Sequence, residues 1–190
     1  MTDFMEQGIL IGIIATGVRL AIPYLLAALG EMMTQRSGVF NLGLEGIMLM
    51  GAFFGFYFTF LTHSPMLGIL AAIIAGALMG LLMAFVSVTL QAEQGISGIG
   101  LSLLGWGLSG LFFRLYVGGI QTIEGLKSWK IPVLGDIPVI GPMLFDHNVI
   151  VYFAFVLVPV FWFVLFRSTW GLSVRAVGMH GCGNLNLGQE

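Results

Sequence analysis

The chain is poor in charge. Its 190 residues carry 7 Lys+Arg and 9 Asp+Glu, 8% in all, where a soluble domain carries about 25%. So few charged side chains cannot cover a water-facing surface, which excludes an ordinary soluble globule. A disordered chain is excluded too, because such chains stay open through high charge and low hydrophobicity. A nucleic-acid binder needs a clustered basic face, and none is present. Cysteine is nearly absent. The single Cys182 permits no internal disulfide. The opening MTDFMEQ has no Lys or Arg, so it lacks the basic n-region of a secretory signal. The first apolar stretch is therefore expected to be kept as a membrane helix.

What is abundant fits one class. Hydrophobic residues make up 58% and there are 28 glycines, with a mean hydropathy of +1.01. Glycine is common in membrane helices because it lets backbones approach closely. The expected fold is all-α, a polytopic transmembrane helix bundle. A crossing needs about 20 mostly apolar residues. Five segments qualify: 8–29, 39–61, 66–90, 95–117 and 149–166. Arg19 and Pro23 interrupt the first. GEMMTQRSG, THSP and QAEQ are short connections that make antiparallel neighbours. The fourth connection, Gly118 to Asn148, is longer, and Pro132, Pro138 and Pro142 exclude a regular helix there. With Trp129 and Phe145 it reads as an ordered interfacial loop, with a plain solvent loop as the alternative. The positive-inside rule does not orient five spans: Arg36, Arg167 and Arg175 fall on one side, Arg114, Lys127 and Lys130 on the other.

Chemistry-bearing patterns are few. GWGLSG, Gly105 to Gly110, has the dinucleotide spacing G-x-G-x-x-G, but that mechanism needs a strand before it and a helix N-terminus at the phosphate; here it lies inside an apolar span. Ser97 and Ser109 sit in G-I-S-G and G-L-S-G, yet a serine nucleophile needs a base in reach, and His63, His147 and His180 all fall in loops or the tail. No catalytic residues and no metal ligands are expected. There is no G-x-x-x-x-G-K-[ST], so ATP-driven transport would need its ATPase on another chain, and no cofactor is expected in this one. Gly68, Ala72, Gly76, Gly80 and Ala84 recur every four residues, a smooth stripe for helix packing. Arg19 and Glu45 are the charges set within spans. Either they form a polar pathway or an Arg19–Glu45 pair, or the segment ends are misplaced and both lie near an interface. Asn41 stands four residues before Glu45, so on one helix the two share a face. The run SGVFNLGLEG also suits a broken helix or re-entrant turn, tolerated at that depth only when buried or lining a cavity.

Three stretches, in order, resemble a family: LAIPYLLAALGEMMTQRSGVFNLGLEGIMLMGAF, QGISGIGLSLLGWGLSGLFFR, and IPVLGDIPVIGPMLF followed by an apolar span and RSTWGLSVRAVG. They are similar to permease subunits of bacterial ABC importers for nucleosides and simple sugars, related to the ribose and branched-chain amino-acid permeases. The resemblance implies a multi-pass protein of the bacterial plasma membrane that transports nucleosides or sugars. It implies ATP on partner ATPase subunits, a second permease subunit (identical or different) and an extracytoplasmic substrate-binding protein, with no nucleic acid. It implies a coupling segment at 168–178, in which Gly171, Leu172, Arg175, Ala176, Val177 and Gly178 match the family's motif. Asn41, Glu45 and Gly46 match an early helix motif and are candidates for the translocation path. A cytoplasmic coupling segment with five spans puts the N-terminus outside; a second segment split into two crossings puts it inside. The reading divides the chain into 1–178, the N-terminal part of a permease domain, and a non-family tail, 179–190. That break implies an incomplete permease fold, inactive alone. A channel or secondary carrier working without an ATPase is the alternative; it would leave the coupling motif unexplained.

Overall fold

The computed structural model describes residues 2–119, 122, 125, 129–130 and 146–183. Most of the connection between Gly118 and Asn148 lies outside the described residues, and so does 184–190 of the tail. The structure is all-α, with five helices among the described residues long and apolar enough to cross a membrane. These are α1 (Thr2–Arg36), α2 (Leu44–Thr62), α3 (Pro65–Ala84), α4 (Gln94–Tyr116) and α5 (Val149–Arg167), followed by a sixth and shorter helix, α6 (Thr169–Gly183). Among the described residues the only extended pairing is a two-residue antiparallel ladder, β1 (Trp129–Lys130) on β2 (Asp146–His147), with Trp129 opposite His147. Only 6% of the first span and 17% of each of the others is buried within the chain. The apolar side chains of these helices are thus directed mainly at lipid or at other proteins.

The chain divides into two compact units. The first comprises residues 1–30 and 126–172. Its core joins α1 to α5: Ile22 packs with Val151 and Ala154, flanked by Val18, Leu25, Leu26 and Ile150. Pro23 lies inside α1 and Pro159 inside α5, and neither ends its helix. The turn out of α5 is tight. Ser168 Oγ donates to Val164 O (2.5 Å) and accepts from Gly171 N (3.0 Å). That second bond is an N-terminal cap on α6. Gly171 is buried, and a methyl group there would collide with the backbone of Val164 and Leu165.

The second unit comprises 31–125 and 173–190. Its core is Met50 of α2, Met79 and Met83 of α3 and Leu101 of α4, with Ile47, Phe54, Leu108 and Phe112 against it. The α2–α3 connection is minimal: His63 takes a left-handed conformation (φ 52°) and Pro65 opens α3, where its missing N–H is no loss. The small-residue stripe on α3 meets α2 over its first turns only. A Cβ at Gly68 would run into Thr59 Oγ1 and lie 2.6 Å from Gly55 O, and one at Gly55 would sit 3.3 Å from Ala72 Cβ. Further along, the nearest neighbour of Gly76 is Ile47 Cγ2 at 3.9 Å, Gly80 has nothing within 4 Å, and Ala84 is exposed. The buried line is Gly68, Ala75, Met79 and Met83. Each four-residue step turns the side chain about 40° past a full revolution, so a strict four-residue stripe rotates out of a contact that steps of three and four follow. The last turn of α3 widens into a π-helical turn, Phe85–Thr89, in which the buried Ser87 hydroxyl has no hydrogen-bond partner among the described residues.

α2 and α4 meet differently along their lengths. Where the first turn of α2 crosses the middle of α4, glycine faces glycine: a Cβ at Gly105 would lie 2.5 Å from Gly46 Cα and O, and one at Gly46 would lie 2.6 Å from Leu101 O. Near their C-termini aromatic rings intervene. Phe53 and Phe54 lie 5.7 and 6.4 Å from Phe112, Phe56 lies 6.0 Å from Phe113, and Tyr57 lies 5.6 Å from Tyr116, between ring centroids. Gly105→Ala forces two backbones apart and is expected to destabilise the chain by about 1–3 kcal/mol. Gly80→Ala fills empty space on a helix and is expected to be neutral or stabilising by up to about 1 kcal/mol. Thermal unfolding in detergent, followed by loss of helical signal, distinguishes the two.

Candidate functional site

The second expected span does not begin at Val39. Residues 37–43 form an irregular connection between α1 and α2, and α2 starts at Leu44 as a single crossing. Asn41 and Glu45 therefore do not share a helical face. The cause is local. Asn41 Oδ1 accepts from Gly43 N at 2.8 Å, an Asx turn that offers the backbone an alternative to helix. Glu45 stands exposed in the first turn of α2, where the positive end of the helix dipole favours a carboxylate. Gly46 is buried against α4. Of the three path candidates, then, Asn41 holds the turn, Gly46 is a backbone contact, and Glu45 presents its side chain.

The connection is bonded to the end of α1 and to α4 through backbone and side-chain groups. Ser37, Gly38 and Val39 donate their N–H groups to the carbonyls of Thr34, Gln35 and Thr34, at 3.0, 3.1 and 3.1 Å. Phe40 N donates to Gln94 Oε1 (2.8 Å) and Asn41 N to Glu31 Oε1 (3.1 Å). Leu42 O accepts from Ser102 Oγ at 3.0 Å. The Glu31 carboxylate also takes bonds from Gln35 Nε2 and Thr34 Oγ1, each at 3.2 Å. The connection lies directly on α4: a Cβ at Gly98 would come 2.8 Å from Leu42 N and 3.0 Å from Gly43 N. Glu31, Gln94, Gly98, Ser102 and Gly105 were not among the sequence-based candidates. Their visible signal is weak: polar residues at helix ends, and Gly98, Ser102 and Gly105 spaced by four and three so as to share one face.

The coupling candidates lie on α6. Gly171 is buried in the turn from α5, whereas Leu172 and Val177 are 62% and 64% exposed. Ala176 is exposed and Arg175 half-buried. Gly178 packs on the α1–α2 connection, where a Cβ would collide with Arg36 O. Arg19, in the first unit, is exposed on α1 and is engaged in an interaction there. Among the described residues no three His, Cys, Asp or Glu side chains converge in a way that could hold a metal ion.

Residues 13–180 match the family described as the permease component of branched-chain amino acid transport systems. The chain belongs to that family. Individual relatives agree. This permease sequence is 39% identical over 173 residues to the guanosine ABC transporter permease protein NupQ of Bacillus subtilis, covering 84% of this chain and 53% of that one. It is 39% identical over 171 residues to the putative glucose ABC transporter permease protein TsgC13 of Haloferax volcanii (88% and 51%). It is 33% identical over 175 residues to the nucleoside ABC transporter permease protein NupC of Lactococcus lactis (87% and 55%). The chain spans about half the length of these relatives. No solved structure matches it. With five apolar helices among its described residues, this member of the family is a multi-pass membrane protein.

Removing the Glu31 carboxylate leaves the part-buried Asn41 N–H without its acceptor. Glu31→Ala is expected to loosen the connection by about 1–3 kcal/mol, the cost of an unpaired donor. Hydrogen exchange at the amides of residues 40–43 should accelerate accordingly, with Glu31→Gln recovering part of the protection through its amide oxygen.

Proposed function

We propose that the chain acts as a membrane-spanning permease subunit of an ATP-driven importer for nucleosides or simple sugars. The observation that carries this is the family match over residues 13–180, joined by relatives whose names specify guanosine, glucose and nucleoside transport. In this reading ATP is bound and hydrolysed by separate ATPase subunits, since the sequence has no phosphate-binding loop of the Walker type. A second permease subunit completes the path, and a binding protein delivers solute from outside.

The coupling segment is α6. Its exposed Leu172 and Val177 offer an apolar contact, and Arg175 offers a cation to an acidic surface of the ATPase. Glu45 is the member of the Asn41–Glu45–Gly46 group that faces the solute path; the other two shape the turn that presents it. With α2 a single crossing, a cytoplasmic α6 places the N-terminus outside.

Co-purification with the ATPase subunit tests the reading directly. Arg175→Glu reverses the charge on α6 and is expected to weaken that association about tenfold or more. Undiminished binding refutes the docking role. A reporter fused after Glu6 is expected to signal from outside the cytoplasm; a cytoplasmic signal refutes the proposed orientation.

A further inference from the structure

One contact in the second unit joins the coupling helix to the α1–α2 connection without any side chain between them. On α6, a Cβ at Gly178 would collide with Arg36 O and lie 3.3 Å from both Arg36 C and Gly38 N. On the connection, Gly38 adopts φ +87°, and a Cβ there would lie 3.4 Å from Gly178 Cα and 3.8 Å from Gly178 O. The positive φ favours glycine at residue 38, and the close approach demands it at residue 178. Two backbones therefore bear on each other, with no flexible side chain to swing aside and absorb a displacement.

What lies beyond Gly38 is tied down residue by residue. The Phe40 amide is held by Gln94 and the Leu42 carbonyl by Ser102, both on α4. The Asn41 amide is held by Glu31 of α1. Three residues past Leu42 stands Glu45, and Gly46 abuts Gly105 of α4. A push on the backbone at residues 36–38 is thus delivered to the start of α2 and to α4 through bonds and close contacts, the kind of contiguous packed network that can carry coupling between sites. We infer that Gly178 and Gly38 are positioning residues that pass ATPase-driven movement of α6 into residues 36–43, and from there into α4 and the turn bearing Glu45. This rests on the proposal that α6 docks on an ATPase, and it adds the point at which that movement enters the membrane-spanning helices.

The test is hydrogen exchange on the chain co-purified with its ATPase subunit in lipid nanodiscs, with ATP plus vanadate and without nucleotide. Trapping nucleotide is expected to change exchange in α6 and, with it, in residues 36–43, each by at least about fivefold, the lower end of typical allosteric coupling. Gly178→Val is expected to keep the nucleotide response of α6 while flattening that of 36–43, which a purely structural role would not separate. A response in α6 with none in 36–43 of the unmodified chain overturns the inference while leaving docking intact. A Gly178→Val chain whose 36–43 response persists also overturns it. If that variant fails to assemble, the unmodified chain decides by the same criterion. An ATPase that does not bind, or binds without altering α6, overturns the docking proposal, and the inference falls with it.

Discussion

The arrangement of the second unit depends on one requirement: an irregular stretch of backbone packed against helices needs partners for the polar groups it takes out of water. Residues 37–43 meet it by borrowing. The N–H groups of residues 37–41 and 43 and the Leu42 carbonyl are taken up by the end of α1, by the Glu31 carboxylate, by the Asn41 side chain and by Gln94 and Ser102 of α4. The bonds from Glu31, Gln94 and Ser102 also fix distances between elements. The glycines at 43 and 98 follow from the same requirement, since a surface without side chains lets the connection come close enough to α4 to be bonded by it, and Gly46 and Gly105 continue that close approach into α2.

Within the first unit a comparable economy operates at the turn from α5 to α6. One hydroxyl, Ser168 Oγ, closes the end of α5 and caps the start of α6, and Gly171 lets the new helix fold back hard against the backbone of Val164 and Leu165. A membrane helix is thereby converted within two residues into a helix whose Leu172 and Val177 point outward from the chain.

Much of the fold was legible because it rests on composition over long windows. The five apolar segments needed only length and hydropathy, and the resemblance to importer permeases needed three motifs in order. What was not legible is the part governed by single hydrogen bonds. Nothing in the periodicity of SGVFNLGLEG says that the Asn41 side chain will bond Gly43 and delay the helix to Leu44. Nothing marks Glu31 or Gln94 as partners of amides ten and fifty-four residues away. The stripe on α3 was visible as a pattern, but which turns of it touch α2 depends on the path of the neighbouring helix, so Gly68 is packed tightly and Gly80 is open.

The contrast along the α2–α4 pair has a mechanical meaning. Glycine against glycine is a fulcrum: it cannot be compressed, and it offers no rotamers through which to yield. Rings at centroid separations of about 6 Å are a softer spacer, because tilted aromatic pairs have several arrangements close in energy. A small rotation about the Gly46–Gly105 contact would displace the C-terminal parts of both helices, where re-tilting of Phe53, Tyr57, Phe112 and Tyr116 could accommodate it. The pair is pinned at the glycines and cushioned beyond them.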